Sequence, residues 1–203
     1  MLKKILVVLV LALAALLIWL ALFWKPESAQ TRQTALIAAP PTGGEFTLQA
    51  AQGPVSLKDY RGKVVLVYFG YTYCPDICPT ALAFTAQGLK LLTEDELAKT
   101  QVLFISVDPE RDTPEKLKDY GTFFHPNILG LTGTPTQIGE AAKLYGASYR
   151  KQDTGSAGGY VVDHSSNLYV LDTNGKLAAT LPHGTMAKDI AIAIRTAMSQ
   201  KPD

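Results

Sequence analysis

The sequence predicts an α/β domain built on a mixed central sheet flanked by helices, and three observations carry that prediction. Two continuous apolar runs rich in β-branched and aromatic residues, Lys63–Phe69 (KVVLVYF) and Gln101–Val107 (QVLFISV), each precede a segment of helical spacing. That alternation builds parallel strands with helical crossovers. Toward the C-terminus, Asn167–Asp172 and Lys176–Leu181 alternate around Thr173-Asn174-Gly175, a hairpin signal. Of the 203 residues 47% are hydrophobic and 18% charged, which supplies a packed core and argues against disorder.

The elements follow in order. Glu45–Gln49 and Pro54–Leu57 alternate across turn residues and read as a hairpin-like lead-in. Lys63–Phe69 reads as a strand buried on both faces. A loop with both cysteines follows, then a helix over Pro79–Leu92, where proline suits the first turn. Gln101–Val107 is the second buried strand; a helix starts at Thr113 with Pro114 in its first position and Gly121 near its end. Asn127–Thr132 is a short strand, and the next helix is capped at Thr134 or Thr136. Residues 150–159, RKQDTGSAGG, read as a polar, glycine-rich loop. After the hairpin, Met186–Met198 closes the domain as a helix. A strand, a cysteine loop at a helix N-terminus, an inserted α element and a terminal ββα make the thioredoxin-like arrangement. The domain is placed over 43–203.

Residues 25–42, rich in Pro, Ala, Gln and Thr, read as a linker. Residues 1–24 read as a membrane anchor: Ile5–Trp24 is 20 unbroken apolar residues, long enough as a helix for a hydrocarbon core of about 30 Å. Trp19, Phe23 and Trp24 lie toward one end, and Lys3 and Lys4 favour a cytoplasmic N-terminus. The domain is then expected on the outer, periplasmic side of a bacterial inner membrane. A cleaved signal peptide would have a hydrophobic stretch of only about 7–15 residues and small residues at the cut; Glu27 stands where one is wanted before Ala29. The charges balance at 19 basic and 18 acidic residues with no basic run, so a nucleic-acid partner is not indicated.

The chemistry is concentrated in FGYTYCPDICPT, Phe69–Thr80, with the only two cysteines, Cys74 and Cys78. A disulfide between them would close so small a loop that it would add little stability. Four apart on a helix, Cβ atoms lie about 5–6 Å from each other, beyond the usual disulfide separation of about 3.5–4.5 Å. A non-helical Cys74 closes that gap, so the pair can reach a disulfide or grip one ion. A helix N-terminus lowers thiol pKa, which helps both. A metal needs further ligands, and the chain has three histidines. His125 and His183 read as turn residues. His164 lies just before the terminal hairpin, where a thioredoxin-like fold faces its redox cysteines and thioredoxins carry a cis-proline; here the place holds Asp163-His164-Ser165. Two thiolates and one imidazole make a soft three-coordinate site, which puts copper ahead of zinc, since structural zinc asks for four ligands.

The chain resembles the Sco/SenC proteins, membrane-anchored copper proteins of cytochrome c oxidase assembly. The resemblance runs over about residues 40–200 and rests on GYTYCPDICPT (Gly70–Thr80), SVDPERDTPEKLKDY (Ser106–Tyr120) and YVVDHSSNLYVLDTNGK (Tyr160–Lys176). It implies one copper bound by Cys74, Cys78 and His164, with Cys74 and Cys78 also acting as a redox pair. It implies as partner the oxidase subunit carrying the CuA centre, to which copper is delivered or whose cysteines are reduced, and further copper carriers or thiol reductants. Asp163 is expected to orient His164 or meet the partner, and Asp76 to tune the thiols or cap the helix. Asp108, Arg111 and Asp112 are expected as a loop network near the site or as turn residues, with Asp112 or Thr113 capping the following helix. Tyr71 and Tyr73 are expected as packing or partner surface, and Met186 and Met198 as core. The competing readings are a membrane-anchored thiol–disulfide oxidoreductase without an essential metal, a peroxidase, which would want a distant resolving cysteine that is absent here, and a passive copper store.

Overall fold

In the structure, a computed structural model, residues 41–156 and 159–200 are described, together with Ile5, Leu6, Leu13, Leu16, Leu17 and Trp19. The chain divides into two units, Met1–Ile37 and Ala38–Asp203. The six described residues of the first are helical and exposed. The predicted anchor and linker lie almost wholly outside the described residues, among which no helix is long and apolar enough to cross a membrane.

The second unit begins with a small hairpin, β1 (Thr47–Ala50) against β2 (Gly53–Ser56), and a single 3-10 turn, Leu57–Tyr60. Then come β3 (Val64–Gly70), α1 (Ile77–Leu89), α2 (Glu94–Ala98), β4 (Thr100–Ser106), α3 (Pro114–Phe124), β5 (Ile128–Leu131) and α4 (Pro135–Leu144). A ribbon of β6 (Tyr149–Ser156) and β7 (Gly159–His164) precedes the hairpin β8 (Leu168–Leu171) and β9 (Leu177–Leu181), and α5 (Ala187–Ser199) closes the unit.

The central sheet has the order β5-β4-β3-β8-β9. Strands β3, β4 and β5 run parallel; β8 lies antiparallel to β3 and β9 antiparallel to β8. This is the mixed sheet of a thioredoxin-like fold. Strand β3 is central and every one of its residues is buried, as its unbroken apolar run predicts. Parallel strands put the loops that follow them at one edge, where α/β folds place their sites. Register makes this concrete. Gly70 at the end of β3 pairs with Ser106 at the end of β4, and Val107 N–H donates to Gly70 O at 2.8 Å. Strand β8 enters from that same edge, with Leu168 opposite Tyr68. Strand direction therefore brings the cysteine loop, the Asp108–Asp112 loop and the entry to β8 to one edge of the sheet.

Three local features depart from expectation. Helix α1 starts at Ile77 and not at Pro79; proline is tolerated at its third position because the first N–H groups of a helix have no intrahelical partner anyway. The short α2 arises from a capping box in which Thr93 and Glu96 satisfy each other's backbone N–H. Residues expected as a polar loop form β6, paired with β7 from Tyr149 opposite His164 to Asp153 opposite Tyr160. A ribbon with almost no buried face leaves no period-two apolar pattern to read. Elsewhere the signals hold: Thr113 and Thr134 cap α3 and α4 with Pro114 and Pro135 next. At the β8–β9 turn Gly175 takes φ +76, and Asp172 Oδ1 accepts from the N–H of Asn174 and Lys176.

Leu66 in β3 is fully buried. Leu66→Ala is expected to lower stability by about 2–5 kcal/mol, read from denaturant unfolding followed by circular dichroism.

Candidate metal centre

Cys74 lies outside helix α1 and Cys78 in its first turn. Asp76 occupies the N-cap position, but its side chain makes no capping hydrogen bond. The sulfur of Cys74 takes that role: the Cys78 N–H donates to it at 3.4 Å, and the Asp76 N–H also donates to it. The helix thus spends free N–H groups on a thiolate, where its dipole favours negative charge. Of the two functions expected of Asp76, capping is not performed by its side chain, while its backbone does tune the thiol.

The two sulfurs differ sharply. A hydrogen bond from Cys78 is the main influence holding Cys74 down at about 4, against the opposing effect of burial, with His164 and the two N–H groups adding to it. Cys78 is pushed well above the ordinary thiol range, first by burial and then by Cys74. At neutral pH the pair is one thiolate accepting from one thiol. Both cysteines are free of any disulfide; Cys74 is 7% exposed and Cys78 fully buried. Cys78 fits because position 70 has no side chain: a Cβ there would meet its sulfur at 2.7 Å.

His164 ends β7 and its Nε2 stands 3.2 Å from Cys78 Sγ. Its Nδ1 lies 2.9 Å from Ser165 O. A carbonyl only accepts, so Nδ1 donates to it, and Nε2 is the ring nitrogen turned to the sulfurs. Tyr68 and Tyr71 pack edge-on against the imidazole, with centroids at 6.3 and 5.7 Å. The Tyr68 hydroxyl is buried beside Cys78 with no nitrogen or oxygen partner. Burial first, then the neighbouring sulfurs, push it well above the usual phenol range. Asp163 does not orient His164: its carboxylate accepts from Gln152 Nε2 at 3.0 Å across the ribbon.

The Asp108–Asp112 loop braces the centre from the β4 side. Buried Asp112 accepts from Thr72 N–H at 2.9 Å, from the Thr72 hydroxyl and from Ser106 Oγ at 2.7 Å, tying the cysteine loop to the end of β4. The expected loop network and the expected cap therefore coexist, for Thr113 caps α3. Tyr71 is buried, with its hydroxyl accepting from Val162 N–H at 3.2 Å, while Tyr73 is exposed under Lys116 and Arg111. His125 Nδ1 accepts from Asn127 N–H as a turn residue, and His183 sits with Pro182 and Gly184 in another crevice. Met186 is exposed at the start of α5; Met198 packs on the core. Tyr68 and Tyr160 escape sequence reading, since neither breaks the strand pattern around it.

Together Cys74, Cys78 and His164 place one donor atom each within 4.8 Å of one another. Metal–sulfur and metal–nitrogen bonds of about 2.0–2.3 Å put two ligands of one ion no more than about 4.6 Å apart, so the trio fits a soft ion with little movement. A cleft of about 320 Å³ opens onto it, lined among others by Tyr71, Pro75, Ile77 and Val162.

Residues 34–199 match the family model described as SCO1/SenC. The chain is 39% identical over 185 residues to the mitochondrial SCO2 homolog of Bos taurus, spanning 89% of this chain and 70% of that protein. It is similar to the copper-bound structure of ScoI from Bradyrhizobium japonicum, with TM-score 0.70, 34% identity, and coverage of 77% of this chain and 99% of that one. It is also similar to BsSco, a member of the Sco family of cytochrome c oxidase assembly proteins in which a disulfide switch was identified (TM-score 0.62, 28% identity, 81% and 99% coverage).

Two outcomes test this geometry. Because Cys74 is a thiolate above about 4, iodoacetamide labelling of the reduced protein is expected at one cysteine, with a rate nearly flat from about pH 6 to 8, where an ordinary thiol of pKa about 8.5 gains close to two decades. The profile should fall only as pH drops toward 4, and Cys78→Ala, which removes the donor, should shift it upward. Gly70→Ala should displace the Cys78 sulfur and cost about 1–3 kcal/mol in unfolding.

Proposed function

The chain belongs to the SCO1/SenC family, and on that premise we propose that it binds one copper ion through Cys74, Cys78 and His164 and supplies it to the CuA-bearing subunit during cytochrome c oxidase assembly. The observation that carries this reading is the convergence of Cys74, Cys78 and the His164 Nε2, with Cys74 and His164 lining an open cleft and Cys78 buried behind them. Copper, when bound, is a soft, redox-active cargo that thiolates and imidazole both suit. The chain's own residues do the rest. Cys74 offers a ready thiolate, Cys78 gives up its proton, Ser165 fixes the histidine tautomer, and Tyr68 stands ready to donate to the Cys78 sulfur once that proton has left. Three ligands beside open space hold an ion without enclosing it, which suits cargo that is to be passed on.

A second activity is favoured by the inequality of the two thiols. Cys74 thiolate attacks one sulfur of a client disulfide, a mixed disulfide forms, and the client's other sulfur leaves as thiolate. Cys78, losing its proton, then attacks the Cys74 sulfur and releases the second client thiolate. Two electrons pass to the client and a Cys74–Cys78 disulfide remains. This would prepare the CuA cysteines for metal, and a separate thiol reductant would restore the pair. Other copper carriers would reload it.

For location we carry forward the sequence reading: residues 1–24 as a single-pass anchor in a bacterial inner membrane, 25–42 as tether and 43–203 on the periplasmic side. The twenty apolar residues Ile5–Trp24 behind Lys3 and Lys4 support it.

Titration of the full chain in mild detergent with cuprous and cupric ions is expected to give one tight site. Cys74→Ser/Cys78→Ser should abolish it, and His164→Ala should weaken it and change the cupric spectrum. Wild-type binding no tighter than that of the double serine variant would sink the copper reading. Thiol exchange with a model disulfide should survive His164→Ala.

A further inference from the structure

We infer that Arg111 and Tyr160 form a latch that positions His164 over the two cysteines. The inference rests on Cys74, Cys78 and His164 forming one site.

The β6–β7 ribbon carries His164, and among the described residues its two strands pair only with each other and belong to no larger sheet. Among its described residues only one apolar side chain, Val162, is buried, with Tyr149 and Tyr160 partly buried against the core. A pair of strands with so little buried apolar surface has no strong hydrophobic reason to sit in one place. Its placement must come from specific contacts, and these are concentrated on one face of β7. Alternate residues of a strand share a face, so Tyr160, Val162 and His164 point the same way.

Tyr160 is gripped from three directions. Its carbonyl accepts from Arg111 Nη1 at 2.9 Å. Its ring lies under the Arg111 guanidinium at 3.7 Å. Its hydroxyl donates to Asp108 Oδ1 at 2.6 Å. Arg111 is itself fixed by Asp108, which is fully buried, with Nε to Oδ2 at 2.5 Å. The same guanidinium stands 5.7 Å from the Tyr71 ring and 4.8 Å from the Tyr73 ring, so it binds ribbon and cysteine loop together. Its Nη2 is buried without a hydrogen-bond partner among the described residues, and the aromatic faces offset that desolvation. Next along β7, Val162 N–H donates to Tyr71 Oη, and one step further the imidazole meets Cys78. At the base of the ribbon Ser148 and Ser165 bond each other, which leaves a pivot there. Lys151 pairs with Glu110 at the exposed outer side. The Arg111 cluster is the contact that stops rotation about that pivot. Arg111 and Tyr160 touch neither sulfur nor His164 Nε2 in this arrangement; they are positioning residues.

The test uses the full chain with Arg111→Met, which removes the guanidinium, and Tyr160→Phe, which removes only the hydroxyl and leaves the ring. Cupric affinity should fall about 10–100-fold in Arg111→Met, the usual cost of losing a group that orients a ligand, and a few-fold in Tyr160→Phe. Imidazole nitrogen couplings in the cupric electron paramagnetic resonance spectrum should weaken in parallel. Adding His164→Ala to Arg111→Met should cost little more, because both changes remove the same ligand. In the metal-free protein, amide hydrogen exchange over residues 160–164 should quicken while that of β3 and β4 stays unchanged. Fully additive losses from Arg111→Met and His164→Ala would overturn the latch, as would wild-type affinity and wild-type ribbon exchange in both single variants. If Arg111→Met does not fold, Tyr160→Phe decides alone, by the same affinity and exchange criteria. If the wild type binds no copper, the proposed function fails, and ribbon exchange in the metal-free variants supports or overturns the latch independently.

Discussion

Strand β3 is hydrogen-bonded along both edges and buried on both faces, and the metal centre hangs from its C-terminal end. Four of its features act there at once. Tyr68 sets its hydroxyl beside Cys78, Gly70 admits the Cys78 sulfur, Gly70 O holds the start of the Asp108 loop, and the chain beyond carries Cys74 into the N-terminus of α1. A strand so constrained cannot slip register without turning its side chains to the wrong face. The thiols are therefore anchored to a strand held on both edges and both faces, although Cys74 sits on a loop.

The two thiols share one helix end yet are chemically unlike. The residue outside the helix collects the N–H groups and holds negative charge; the residue inside is buried and keeps its proton. Three residues between them produce this split, because Cys74 then falls two residues ahead of the N-cap Asp76 while Cys78 lies inside the first turn. A second sulfur and an imidazole nitrogen stand close enough to share an ion with that thiolate.

The third ligand is held by a different logic. Cys74 and Cys78 belong to the core, whereas His164 rides on a ribbon whose hold is polar, aromatic and local. Hydrophobic burial is non-directional and would leave such a ribbon free to slide; hydrogen bonds and a guanidinium stacked on rings define one position. His164 is thereby positioned by contacts separate from those that hold the sheet.

The sequence by itself determined a great deal. The apolar run Lys63–Phe69, the capped starts at Thr113 and Thr134 and the turn at Gly175 specify their elements through local sterics and hydrogen bonding, so their order and the thioredoxin-like plan were legible. The trio Cys74, Cys78 and His164 was legible too, because soft donors are rare in this chain and topology brings them to one edge. Tertiary structure alone decided the rest. The β6–β7 ribbon left no pattern because it has almost no buried face. Asp163 looked like the orienting partner of His164, yet the pleat turns neighbouring side chains to opposite faces, and the carbonyl of Ser165 does that work. The meeting of His164 with Cys78, the place of the Tyr68 hydroxyl beside Cys78 and the grip of Arg111 on Tyr160 join residues far apart along the chain, 86 positions in the first case and 49 in the last. Spacing along a chain constrains neighbours on one element; only packing determines which distant groups share a solvent-free space.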